Sequence, residues 1–309
     1  MRPLTCVIAA GMLAVATPSA RAATGAYGEA FDTLYQVDLD TRVATRVGES
    51  GRYAGQTIGN ISGLTMMPDG TMYAAAGGLK LLLGVDPDDG SADVLGDFGL
   101  AGQGDPVRND ALDLNMIADC DGTLWLTSAY ARKLWTVDPA DGATTLVGST
   151  GPAISGLAVR DGELFGATGK NDNRFYRIDP ATGAATPIGP FGAGVTRWIN
   201  SVSMSFGEDG TLWAVLNYIP PEDDSQALAD WSDLATIDPV TGQLEILGPI
   251  TGPETLREVG MKGFTAGPPL CGRGTLPPVS APVDSPLALL LLGLFMAAAV
   301  GVNRRRFAR

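Results

Sequence analysis

The 309-residue chain carries 21 basic and 34 acidic side chains, no histidine, 41 glycines and 21 prolines, and its formal net charge is −13. Without histidine there is no Ser-His-Asp triad and no His-ligated metal or haem site, and the acidity argues against binding a nucleic-acid backbone. So much glycine and proline suits short strands joined by turns better than a helix bundle.

Residues 1–22 begin with Arg2, run through the apolar stretch Leu4 to Ala16 and end Ser19-Ala20-Arg21-Ala22. A basic start, a short apolar run and an Ala-x-Ala ending predict a secretory signal peptide cut after Ala22.

From there a phrase recurs, in which an aromatic or apolar strand ends in Asp and a Gly follows ten residues later. The copies are Leu34 to Asp38 with Gly48, Leu83 to Asp86 with Gly96, Leu134 to Asp138 with Gly148, Phe175 to Asp179 with Gly189, and Leu234 to Asp238 with Gly248. Four copies are preceded by an Asp-Gly hairpin signal at Asp69-Gly70, Asp121-Gly122, Asp161-Gly162 and Asp209-Gly210, each leading into an aromatic strand (Tyr73, Trp125, Phe165, Trp213). A further apolar run stands before each hairpin, so every unit holds four strands. Units of this kind repeating every 40–60 residues predict an all-β, five-bladed β-propeller over residues 23–272. The first unit lacks its inner strand and Met261 to Phe264 is an inner strand lacking the other three. Residues 24–50 and 259–266 are therefore expected to share one blade and close the ring; a six-bladed ring with a degenerate unit and an open β-solenoid are the alternatives. The aromatic positions are expected to be inter-blade core.

Strand alternation divides the connections between two faces. The Asp-Gly and Asp-x-x-Thr-Gly turns share one, and the long segments Gly99 to Ala111, Gly192 to Ile199 and Ile219 to Asp233 share the other. Loops held on a rigid scaffold carry function, so the long-loop face is the expected ligand-binding surface, with Asp113, Asn115, Arg197, Trp198, Asn200 and Lys262 as its candidates. Asp113, Asn115, Asn200 and Lys262 lie near the starts of inner strands, where they would line a central channel. Oxygens of Asp113, Asn115 and Asn200 converging there would suit a calcium ion, as in propeller lactonases and sugar-acid hydrolases; the alternative is polar residues lining a wet channel, with no cofactor. The turn aspartates Asp38, Asp86, Asp138, Asp179 and Asp238 are expected to cap their own backbone rather than bind metal. Cys6 leaves with the signal peptide, and Cys120 and Cys271 remain as an expected disulfide in an oxidising location.

After a proline-rich linker (residues 273–286), Leu287 to Val302 is an uncharged apolar run about 24 Å long as a helix, expected to span a membrane. Residues 303–309 include Arg304, Arg305, Arg306 and Arg309, a basic tail that stays in the cytoplasm and leaves the propeller outside. The motif Ala281-Pro282-Val283-Asp284-Ser285-Pro286, the apolar run and the arginine cluster resemble the tripartite C-terminal sorting signals of the PEP-CTERM, IPTL-CTERM and VPDSG-CTERM families. The resemblance implies membrane tethering and processing by a sortase-like enzyme. Its recognition residues here are Pro282, Asp284, Ser285 and Pro286 with the three consecutive arginines, although Pro-Glu-Pro and Ile-Pro-Thr-Leu are absent.

Without residues 1–22 and 287–309 the chain has 15 basic and 34 acidic residues, a net of −19, which resists self-association and points to a monomer. Neither a Gly-rich phosphate loop, a nucleophile elbow nor a metalloprotease helix occurs. The expected role is a non-catalytic binding or scaffold module for an extracellular ligand at the cell surface. A calcium-dependent hydrolase and a structural component of an extracellular matrix or biofilm are the alternatives.

Overall fold

The computed structural model describes residues 25–170, 172–218, 231–252 and 260–271. The expected signal peptide, sorting motif, apolar run and arginine tail lie outside them. Among the described residues no helix is long and apolar enough to cross a membrane, and the strands build five four-stranded antiparallel sheets and one small hairpin.

The first blade is shared by the two ends of the propeller. Strand β1 (Ala26–Ala30) pairs with β2 (Thr33–Val37), which pairs with β3 (Ala44–Glu49). The inner position is filled by β22 (Gly263–Thr265), with Tyr27 opposite Thr265 and Glu29 opposite Gly263. This pairing completes the first blade from the two ends of the propeller and closes the ring, and the six-bladed and open alternatives are set aside. The other blades run in chain order. The second is β6 (Ile61–Met66), β7 (Met72–Ala76), β8 (Leu81–Val85) and β9 (Ala92–Asp97). The third is β10 (Leu114–Ala118), β11 (Leu124–Ser128), β12 (Lys133–Val137) and β13 (Thr144–Ser149). The fourth is β14 (Ile154–Arg160), β15 (Glu163–Thr168), β16 (Arg174–Ile178) and β17 (Ala185–Pro190). The fifth is β18 (Ser201–Phe206), β19 (Leu212–Asn217), β20 (Ser232–Ile237) and β21 (Leu244–Pro249). An extra hairpin, β4 (Arg52–Tyr53) with β5 (Gln56–Thr57), sits between the first two blades on the long-loop face; no repeat signal announced it.

The ten-residue Asp-to-Gly spacing has two causes. The Asp carboxylate accepts from the amide two residues on: Asp88 onto Asp86 at 2.9 Å, Ala140 onto Asp138 at 2.9 Å, Val240 onto Asp238 at 2.8 Å. Asp38 and Asp179 do the same, so the turn aspartates cap backbone as expected. The Gly stands where the outer strand bulges, since every blade shifts register between its third and fourth strands. There the next blade's turn packs against the strand: a Cβ on Gly48 would run into the carbonyl of Asp89, and one on Gly96 into that of Asp141. Turn and bulge interlock, which only glycine permits.

Each blade interface holds one apolar cluster, fed by alternate side chains of facing sheets. Phe165 stacks on Phe175 at 5.4 Å between the fourth and fifth blades, and Trp125 packs with Leu134 and Leu157 between the third and fourth. Tyr73 and Trp213 pack, partly buried, at their own interfaces. The aromatic repeat is thus core, as expected. Glu29 is an exception, a fully buried carboxyl on β1.

Hydrogen bonds complete the rim: the amides of Ala92, Ala185 and Leu244 donate to carbonyls of Ser50, Thr150 and Phe191 in the preceding blade, and Ala44 closes the circle onto Thr251 at 2.7 Å.

Candidate functional site

The five inner strands start on the long-loop face, so the residues just ahead of them ring the propeller axis: Asn60, Asp113, Asn200 and Lys262. Asn60 and Asp113 adopt left-handed backbone, φ 55° and 51°, which Asn and Asp tolerate better than most residues.

Deeper in, the axis is filled. Asn115, on β10, is buried and donates to the Ser62 carbonyl and the Ser203 hydroxyl, both at 3.1 Å. Its carbonyl oxygen accepts from the Leu157 amide at 2.9 Å, and Ser203 passes its own hydroxyl proton to the Lys262 carbonyl. One side chain therefore links four blades directly and reaches the fifth through Ser203. Glycine lets the inner strands come this close: a Cβ on Gly63 would lie 2.6 Å from the Met116 nitrogen. In place of an open channel at this depth there is a hydrogen-bonded plug, and Asn115 is spent in it.

Above the plug the charged residues meet. Asp113 (side chain 8% exposed) takes the Lys170 ammonium at 2.6 Å on one oxygen and that of Lys262 at 3.5 Å on the other. Lys262 also reaches the Asn60 side-chain oxygen at 3.4 Å. Burial pushes the Asp113 carboxyl up, but Lys262 and Lys170 outweigh it and hold it below its ordinary value. The Lys170 nitrogen sits 4.2 Å from the centre of the Tyr130 ring, and the Arg108 guanidinium carbon 5.3 Å from it, cation–π distances. Beside this cluster Asp110 is held down to about 2 by the Lys80 ammonium and the amides of Gly102 and Gly104.

Asn200 turns elsewhere, donating to the Asn217 side-chain oxygen at 3.2 Å, while Asn217 donates to the Met261 carbonyl at 3.3 Å. Arg197 forms another cluster, its guanidinium 3.7 Å above the Tyr218 ring and 3.7 Å from an Asp233 oxygen. Burial and Asp233 raise the Tyr218 hydroxyl. Trp198 is half-buried in the same loop.

Of the six binding candidates, Asp113 and Lys262 come together, Asn115 lies beneath them, and Asn200, Arg197 and Trp198 lie on other parts of the long-loop side. Asp113, Asn115 and Asn200 do not form one oxygen cage: the first faces two ammonium groups and the amides of the others are engaged. These residues do not fit a calcium ion. Asn60, Lys170, Tyr130 and Asp233 were not singled out in the sequence. Asn60 was accessible, because it precedes Ile61 as Asp113 precedes Leu114. Lys170 was not: it arrives from the β15–β16 connection, which no repeat marks.

On the opposite face the tight turns gather Asp38, Asp86, Asp121, Asp138, Asp209 and Asp238. Both ends of the described propeller lie there, Ala26 opposite Val37 at the end of β2 and Leu270 bridging to Arg160 at the end of β14. Cys120 and Cys271 are both disulfide-bonded, as the expected pair requires.

No protein-family profile matches the chain, and comparison with curated proteins returns no match. Solved structures of low similarity do match. A structural-genomics protein of unknown function from Bacteroides thetaiotaomicron is 13% identical over 62% of this chain, with a TM-score of 0.44; the chain spans 53% of that protein's length. Virginiamycin B lyase from Staphylococcus aureus is 14% identical, covering 75% of this chain and 72% of its own, with a TM-score of 0.41. A chain of a nidogen/laminin complex is 12% identical, covering 78% and 97%, with a TM-score of 0.44. None of these likenesses bears on function.

Proposed function

We propose that this propeller is a non-catalytic binding module, exported and tethered at the cell surface, that presents its long-loop face to an extracellular ligand. One observation carries the reading: charged and polar side chains from four blades converge on the axis at that face, while the ends of the described propeller, Ala26 and Leu270, lie on the other. The proposed address follows from the signal-like residues 1–22 and from the sorting-signal resemblance of residues 281–309, including its sortase-like processing. The hydrolase alternative would need oxygen donors gathered on the axis, and these meet lysines or each other instead.

The test is retention of the full chain, in detergent, on extracellular polymer from the producing cells. The wild-type protein is expected to be retained and the double variant Arg197→Ala with Trp198→Ala to be retained less. Stoichiometric calcium in the purified protein, lost on Asp113→Asn, would overturn the reading in favour of the hydrolase.

A further inference from the structure

Resting on the binding-module reading, we infer that the cluster at the loop mouth is an oxyanion site in which Lys170 and Lys262 grip a carboxylate or sulfate group of the ligand and Asp113 holds its place in the empty state. The first ground is charge. Among the described residues two ammonium groups share one carboxylate, so the described cluster carries an unbalanced positive charge in a chain whose net charge is −13. An excess cation partly withdrawn from water gains most from a counter-charge, because the lowered local dielectric strengthens the pairing.

The second ground is underused donors. An ammonium group has three N–H donors. Lys262 makes its two contacts at 3.4 and 3.5 Å, the outer edge of hydrogen bonding, and Lys170 makes one good bond and otherwise faces an aromatic ring. Both side chains retain some exposure, 17% and 24%, whereas Asp113 beneath them retains 8%. An incoming oxyanion therefore meets the ammonium groups before it meets the carboxylate.

The third ground is the backbone. Asn60, Asp113 and Lys170, on three different blades, all sit in the left-handed region, at φ 55°, 51° and 54°. For a lysine this backbone conformation is unfavourable. Asp113 and Lys170 touch directly and Asn60 joins them through Lys262, so the three positions belong to one cluster held in place by the surrounding fold.

The experiment is calorimetric titration of the full chain in detergent with glucuronate, with inorganic sulfate, and with glucose as the neutral control. Saturable binding of glucuronate or sulfate is expected, weakening with added salt and at least tenfold weaker in Lys170→Met and in Lys262→Met. Glucuronate alone would identify a carboxylate ligand, and sulfate alone a sulfated or inorganic one. Asp113→Asn removes the internal competitor and is expected to tighten the same anion; circular dichroism checks that it stays folded, and the lysine variants carry the test if it does not. A purely structural ion pair would leave both anions indistinguishable from glucose, and that result overturns the site. If neither anion binds while the chain is still retained on extracellular polymer, the oxyanion site fails and the binding module stands; if retention also fails, both fall.

Discussion

The two faces of this propeller use their charged residues in opposite ways. On the turn face the Asp that ends each third strand is spent on its own turn, as Asp138 is on the Ala140 amide and Asp238 on the Val240 amide and the Thr241 hydroxyl. Those carboxylates repeat with the blades and hold a turn that the preceding blade's glycine receives. At the loop mouth Asn60, Asp113 and Lys262 hold equivalent places ahead of their inner strands but differ in type, and with Lys170 they come from four blades and meet once. A periodic charge is architecture, and an aperiodic convergence on the axis is where specificity can reside.

The largest expected effect breaks the periodic side. Gly96→Ala places a methyl group against the Asp141 carbonyl, and because the obstacle is backbone, relief requires two blades to part. A loss of about 3 kcal/mol or more is expected from urea denaturation, whereas Gly70→Ala, with open space around it and only φ 91° to oppose it, is expected to lose about 1 kcal/mol. Equal losses would mean the interlock is not what the glycine serves. The plug beneath the mouth comes next. Asn115→Ala removes the partner of the Leu157 amide and of the Ser62 carbonyl in a buried setting, for an expected cost of about 2 kcal/mol. A neutral result would show that the inner strands hold together without it.

The sequence made the turn face far more legible than the mouth. Asp-to-Gly spacing, the aromatic strands and the split first blade are local or periodic signals, so the blade number and closure followed from them. The plug was half visible: Ser62, Asn115 and Ser155 hold the same place in their runs, second after the starting apolar residue. That Asn115 and Ser155 bond to neighbouring blades depends on how closely Gly63 and Gly156 let the strands approach, a three-dimensional fact. Lys170 was out of reach because the β15–β16 connection projects it over Tyr130 and onto Asp113 from another blade. The β4–β5 hairpin lay outside the repeat altogether.

Glu29 tests the comparison at the closing blade, where a carboxyl is buried without the service that turn aspartates perform. Burial above all, and Asp32 secondarily, raise it well above its ordinary value of 4.5, with the Ser50 hydroxyl pulling the other way. An acid whose folded pKa is raised binds its proton more tightly in the native state, so its contribution to stability is complete below about 4.5 and is lost as pH climbs through the raised value. Glu29→Gln is therefore expected to raise the urea midpoint at pH 8 and to leave it unchanged at pH 4. A variant less stable than wild type at both values would show that the carboxylate is needed.

The smallest effect carries the opposite sign and belongs to the turn face. Asp209 accepts from the Thr211 amide at 2.9 Å and the Thr211 hydroxyl at 2.8 Å, and the amide foremost lowers its pKa below the ordinary 3.8. A carboxyl with a depressed folded pKa contributes stability above its unfolded value and loses it as pH falls through the folded one. Exposed as it is, its contribution is modest, so Asp209→Ala is expected to lower the melting temperature slightly at pH 7 and not at all near pH 2. Added calcium should leave that difference unchanged, since the oxygens are already committed to the turn. If calcium stabilised the wild type and not the variant, the turn aspartates would have a ligand after all, and the division between an architectural face and a binding face would have to be redrawn.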